Sequence, residues 1–367
     1  MSAAIIPAPQ LPALTGLRGI AAWLVVFYHL RLSLTDLLAA PVIAVLAKGY
    51  LAVDLFFMLS GFVLWYNYAP RLRKSGLAAM PDFLWRRVAR IWPLHAALLA
   101  AFAAFVALLA VTGRHPQGYP LAELPWHFLL MQNWGFTEEL AWNHPAWSIS
   151  TELAAYIVFV PLAYAARWEK LPSGWLLGLL TGLFVALSSL YGLAGASGLG
   201  ADIPRLGLPR CLIEFCAGNL LCILWQRWRG VDGAAVAALA VCVATLLAGT
   251  ALSLPETAFV PAALASGLLA LSLGRGAVVR ALGRGPLHYL GEISYATYLS
   301  HFLLFMVFKL LFVDESLQLG AAGLAAMTVL LLLVSVALHH AVEKPAQRWL
   351  NARRPQWLLA QARPSPS

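Results

Sequence analysis

Leu14-Thr-Gly-Leu-Arg18-Gly-Ile-Ala-Ala-Trp-Leu-Val-Val-Phe-Tyr-His29 is an apolar run with a guanidinium near its start and an imidazole eleven residues later. At roughly 100° per residue, eleven steps return to within about 20° of the starting face, so a helix puts Arg18 and His29 on one stripe. They then stand about 16 Å apart along the axis, half of a bilayer's hydrocarbon core. Two such groups on a membrane helix need polar partners or a cavity. The rest of the chain is expected to supply one.

The chain has 367 residues, of which 61% are hydrophobic and 11% charged, with a mean hydropathy of +0.76. A soluble domain of this composition lacks the polar residues to cover its surface. The expected fold is therefore all-α, a polytopic membrane helical bundle. Ten runs are long enough to cross a bilayer, at 17–38, 46–68, 92–112, 146–167, 174–196, 208–227, 232–252, 258–274, 291–313 and 318–342, separated by Pro, Gly and charge clusters. The segment 121–133 is apolar but short, and reads as re-entrant, interfacial or an eleventh span. The first run lacks a basic leader and a small-residue cleavage site, so it is expected to be retained. Residues 1–350 are read as one transmembrane domain and 351–367 as a short basic tail.

A formal charge of +9 does not point to nucleic acid here, because Lys and Arg fall between apolar runs. Arg71, Arg73, Lys74, Arg86, Arg87 and Arg90 cluster between spans two and three. Later basic ends carry Arg167, Lys170, Arg227, Arg229, Arg275, Arg280 and Arg284, and the tail adds Lys344, Arg348, Arg353, Arg354 and Arg363. With ten alternating spans these fall on one side, whereas Glu123, Glu138, Glu139, Glu256, Asp314 and Glu315 fall on the other. The positive-inside rule then puts both termini in the cytoplasm. Cys211, Cys216, Cys222 and Cys242 lack metal-ligand spacing and read as packing residues. No metal site is expected.

This orientation gives each intramembrane polar group a depth. His29, Asp54, Glu152, Arg210 and Glu214 fall in the outer half, and Arg18, Arg87, Arg90, His301 and Glu343 on the inner side. His29 is the candidate general base, because its ordinary pKa lies near working pH. Asp54 at similar depth is expected to orient it, as the carboxylate does in a catalytic triad. The competing reading is a structural histidine bonded to a neighbouring helix. Arg86, Arg87 and Arg90 suit phosphate oxygens, or else anchor the chain on anionic headgroups, the simpler reading of those residues alone. Ser148, Ser150 and Glu152 either bind an acceptor's hydroxyls and line the cavity, or cap the span and pair with an Arg. Arg210 and Glu214, four apart, read first as an intrahelical ion pair and second as part of the acceptor site. Ser294, Tyr298 and His301 share a face; the first two suit interfacial anchors, and His301 a contact to the cofactor or reactive group. His339 and His340 point to different faces, and Pro345 is expected to stop the last span.

Taken in order, these stretches resemble the acyltransferase-3 family of multipass bacterial membrane acyltransferases, over nearly the whole chain. The resemblance is carried by Arg18 and His29 with ten residues between them, by Val53-Asp54-Leu-Phe-Phe-Met-Leu-Ser60-Gly-Phe62, and by Arg87 and Arg90. Trp147-Ser148-Ile-Ser150-Thr-Glu152, Arg210 with Glu214-Phe215, Ile293-Ser-Tyr-Ala-Thr-Tyr-Leu-Ser-His301 and Glu343-Lys-Pro345 complete it. Thr15 stands where the family commonly has an acidic residue, and Ser300 where it has an aromatic. The resemblance implies transfer of an acyl group, usually acetyl, from cytoplasmic acyl-CoA to a hydroxyl of an exported glycan or small molecule. It implies an inner-membrane enzyme with no permanently bound cofactor, whose partners are acyl-CoA, the acceptor and membrane lipids, and no nucleic acid. With about 25 residues after the last span, the hydrolase-like domain fused to some relatives is expected to be absent. On this reading His29, Asp54 and Glu152 are catalytic, and Arg18, Arg87, Arg90 and His301 hold the CoA thioester. Ser148, Ser150, Arg210 and Glu214 contact the acceptor. A glycan or lipid transporter using the same cavity is the alternative, though the internal symmetry common in such folds is missing.

Overall fold

The computed structural model describes residues 11–114, 116–314, 316–355 and 358, so Glu315, Arg363 and most of the expected tail lie outside the described residues. Those described form helices and turns, with no strand among them. Ten helices are long and apolar enough to cross a membrane. They are α1 (Pro12–Leu30), α2 (Ala52–Ser75), α3 (Met80–Val111), α4 (Trp147–Ala165), α5 (Ser173–Leu193), α6 (Ile203–Trp228), α7 (Ala234–Ala251), α8 (Glu256–Leu273), α9 (Ser294–Phe312) and α10 (Ala321–Leu338). Each closes its backbone hydrogen bonds internally, which hydrocarbon requires.

Besides shifts of up to eight residues at other span ends, three features differ from the expectation. α3 starts at Met80 rather than 92, with Pro81 in its first turn, where the missing N–H costs nothing. A hydropathy reading stops short because Arg86, Arg87 and Arg90 occupy these early turns; they belong to the helix, not to a loop before it. Segment 121–133 does not cross, holding only a 3₁₀ turn and the five-residue helix Leu124–Phe128. Pro345 does not stop the chain. A π turn, His339–Glu343, leads into a further helix, Lys344–Ala352, with Pro345 in its first turn. A π turn of this kind re-aims the side chains that follow it.

α6 runs through the middle of the bundle and α7 along its edge: 72% of the first span is buried against 11% of the second. The seam between α2 and α6 is drawn tight by glycine. A Cβ at Gly218 would stand 2.0 Å from the Met58 carbonyl oxygen, and one at Gly61 would stand 2.0 Å from that of Phe215. Backbone carbonyls cannot swing aside, so only hydrogen fits at both places. Gly218→Val is therefore expected to destabilise the bundle by about 3 kcal/mol, the upper part of the overpacking range. Thermal unfolding followed by the monodisperse fraction in detergent checks this; an unchanged midpoint would mean that the seam can open without cost.

Candidate active site

Arg18 lies in the second turn of α1 and His29 in its last turn. Short links such as Gly76–Ala79 between α2 and α3 turn the chain back on itself. The start of α1, the start of α3 and the segment after α10 therefore meet at one end of the bundle. There Arg18, Arg87, Arg90 and Gln347 line a cavity of about 340 Å³. The same cavity is walled further in by Ser60, Glu152 and Tyr156, and reaches Ser148, Phe56 and Tyr298. Five of the eleven residues assigned catalytic or binding roles from sequence thus share one space, Arg18, Arg87, Arg90, Ser148 and Glu152, and Ser294 and Tyr298 join them.

The guanidiniums are held but not consumed. Arg87 Nη2 donates to the Tyr68 hydroxyl at 2.9 Å, with the guanidinium over that ring at 5.1 Å, while its buried Nε has no partner. Arg90 Nη1 stands 3.9 Å from Glu343 Oε1. Glu343 is bound more closely to His339, whose Nδ1 is 2.9 Å from Oε2. His340 faces another way, toward the Tyr289 hydroxyl at 3.0 Å. Glu152 is not paired with an Arg by hydrogen bond; it accepts from the Ser60 hydroxyl and, at 2.6 Å, from Tyr156. At the cavity's inner end the hydroxyls of Ser148 and Tyr298 are 2.8 Å apart, and each lies 3.1 Å from the Pro145 carbonyl oxygen.

Four expectations are corrected. Asp54 does not orient His29: Arg210 grips it with both prongs, Nε to Oδ1 at 2.7 Å and Nη2 to Oδ2 at 2.6 Å. Arg210 is therefore not the partner of Glu214 and is not open to an acceptor. Its remaining Nη1 donates to the Leu199 carbonyl at 2.7 Å, and it is 1% exposed. Glu214 is fully buried with no hydrogen-bond partner on either carboxylate oxygen. Ser150 faces away from the cavity; its hydroxyl accepts the Asn133 backbone N–H at 3.2 Å and neither it nor Ser148 caps the helix. The four-residue spacing from Arg210 to Glu214 reports only one helix, whereas the Arg210–Asp54 pair joins two.

His29 finds another partner. Its Nδ1 lies 3.1 Å from Nε2 of His301, so His301, expected at the cofactor or reactive group, meets His29. His301 Nδ1 is 2.6 Å from the carbonyl oxygen of Tyr298, one turn back on α9. The cavity thus runs from the guanidiniums past Glu152 to the Ser148 and Tyr298 hydroxyls, and the backbone carbonyl of Tyr298 accepts from His301, which meets His29. Sequence reasoning missed Tyr298 as a cavity residue, with Ser60, Tyr156 and Gln347. Tyr156 follows Glu152 at the i+4 spacing that forecasts contact, whereas Gln347 gave no signal because Pro345 was read as a stop.

A basic cavity inside a ten-helix membrane bundle, ending on hydroxyls backed by a histidine pair, defines a membrane protein built for group transfer. The family model described as an acyltransferase domain matches residues 11–340, and the chain belongs to the acyltransferase-3 family of membrane acyltransferases. It is 29% identical over 374 residues to "Acyltransferase MdmB" of Streptomyces mycarofaciens, covering 94% of each chain. It is 27% identical over 323 residues to "Exopolysaccharide production protein ExoZ" of Rhizobium meliloti (strain 1021), covering 83% of this chain and 92% of the relative. No solved structure matches it at a significant level.

Proposed function

We propose that this protein is an O-acyltransferase of the bacterial inner membrane. It takes an acyl group, most simply acetyl, from cytoplasmic acyl-CoA to a hydroxyl of an exported glycan or small molecule. One observation carries the reading: a single cavity has three guanidiniums at one end and the Ser148 and Tyr298 hydroxyls at the other, and the backbone carbonyl of Tyr298 leads on to the His301–His29 pair. The positive-inside rule supports a cytoplasmic basic end. The relatives' names, an acyltransferase and an exopolysaccharide production protein, support acyl transfer to a glycan or related acceptor.

Arg18, Arg87 and Arg90 hold the CoA phosphates through charge-assisted forks, and Gln347 closes the mouth beside them. The pantetheine arm follows the cavity inward, its amide N–H groups directed at Glu152. His29 takes the proton from the acceptor hydroxyl, and the oxygen attacks the thioester carbon. The new C–O bond leaves a tetrahedral oxyanion. Ser148 and Tyr298 carry two hydroxyl protons and share Pro145 as a carbonyl acceptor, so one hydroxyl can turn to the oxyanion while the other keeps that bond. Collapse breaks the C–S bond, and the CoA thiolate receives the proton from His29.

Proteoliposomes given radiolabelled acetyl-CoA and a candidate glycan pool are expected to transfer label. Arg87→Ala combined with Arg90→Ala is expected to raise KM for acetyl-CoA about a hundredfold at similar kcat, from the loss of about 3 kcal/mol of charged hydrogen bonding made equally in ground and transition states. An unchanged KM returns the cluster to a lipid anchor. Absence of transfer from any acyl-CoA overturns the reading as a whole.

A further inference from the structure

We propose that His301 is the positioning residue of His29, filling the place expected of Asp54; this rests on the reading of His29 as general base. Their facing nitrogens, His29 Nδ1 and His301 Nε2, are 3.1 Å apart. A hydrogen bond between two neutral imidazoles needs one nitrogen with a proton and one without. The neighbours decide which is which. His301 Nδ1 is 2.6 Å from the Tyr298 carbonyl oxygen, and a carbonyl only accepts. The single proton of neutral His301 therefore sits on Nδ1, and its Nε2 presents a bare lone pair.

The same logic holds on the other ring. His29 Nδ1 is 2.9 Å from the Val25 carbonyl oxygen, so it carries the proton and shares it between that oxygen and His301 Nε2. His29 Nε2 is then left without a proton, the form a general base needs. Two backbone carbonyls, one on α1 and one on α9, thus set both tautomers.

When His29 Nε2 takes the acceptor's proton, the ring becomes an imidazolium and its Nδ1–H bond to the His301 lone pair strengthens. The proton later leaves from Nε2 to the CoA sulfur, so His301 gains and loses nothing over the cycle. A carboxylate here would carry its charge through the resting state. His301 is 1% exposed, and the His29 ring is 5.6 Å from that of Phe302, surroundings in which a free carboxylate is costly. A neutral imidazole offers the acceptor without that charge. The real carboxylate, Asp54, is meanwhile neutralised on Arg210.

Full-length protein with ¹⁵N-labelled histidine, reconstituted in bilayers, tests the pair by solid-state NMR without reference to activity. The expected signature is a ¹⁵N–¹⁵N coupling across the hydrogen bond between a protonated Nδ1 and a bare Nε2, lost in both His29→Gln and His301→Phe. Absence of the coupling in the unaltered protein overturns the proposal. In the acyl-transfer assay His301→Phe is expected to lower kcat about a hundredfold with KM for acyl-CoA unchanged. His301→Gln, which returns an acceptor near the Nε2 position, is expected to recover about tenfold. Equal impairment of both variants, or an effect confined to KM, overturns the positioning role; the second result would restore His301 to the donor site. Coupling present with no transfer by the unaltered protein would instead sink the acyltransferase reading and leave the pair intact.

Discussion

Replacing His29 with alanine is expected to lower kcat for acyl transfer about a thousandfold, the middle of the range for a general base. His29 is the one imidazole of the pair that is part-exposed, whereas His301 is buried. Its removal takes away the proton acceptor but leaves Arg18, Arg87, Arg90 and Glu152 in place. Donor binding should therefore survive, and the loss should fall on the chemical step. Single-turnover transfer from labelled acetyl-CoA, with donor affinity measured separately, resolves the two. Undiminished transfer in His29→Ala would remove His29 from the mechanism and with it the meaning given to the eleven-residue spacing.

The second large effect is structural. Arg210→Ala strips both prongs from Asp54 and strands a fully buried carboxylate, at an expected cost of about 3–5 kcal/mol. The variant should fail to give monodisperse protein, or should melt far below the parent. Removing both charges together, as Arg210→Met with Asp54→Leu, is expected to regain most of that loss, because neither member of the pair is left buried without the other. Thermal unfolding of the single and double variants separates the cases. If the double variant folds no better than the single, the pair does more than neutralise itself, and Asp54 regains a claim on the chemistry.

Those two residues also mark the limit of what is legible in the chain. The ten spans can be read because hydropathy reports each helix's own surroundings, and the Arg18–His29 stripe because both groups share one helix. Arg87 and Arg90 could be placed at the mouth by charge alone. Asp54 and Arg210 could not be paired, because they are 156 residues apart and spacing along α6 favoured Glu214 instead. Likewise nothing in α1 says that α9 will bring His301 rather than a carboxylate against His29. Depth was the only coordinate available, and residues at one depth are not thereby neighbours. Ser150 failed for a related reason: one residue of rotation separates the face toward Asn133 from the face toward the cavity.

The Ser148–Tyr298 bond has a consequence for the membrane itself. Phe56 stands edge-on to the Tyr298 ring at 5.8 Å, and Phe57 to Trp147 at the same separation. On the proposed reaction these hydroxyls and rings serve as a thin partition between the guanidinium chamber and the histidines. An energised bilayer discharges through any unbroken thread of water, so a protein that passes acyl groups between compartments must do so without wetting the route end to end. On the proposed reaction the partition is electrical insulation: a thioester tip and a hydroxyl can meet at it, while the proton gradient on either side is preserved.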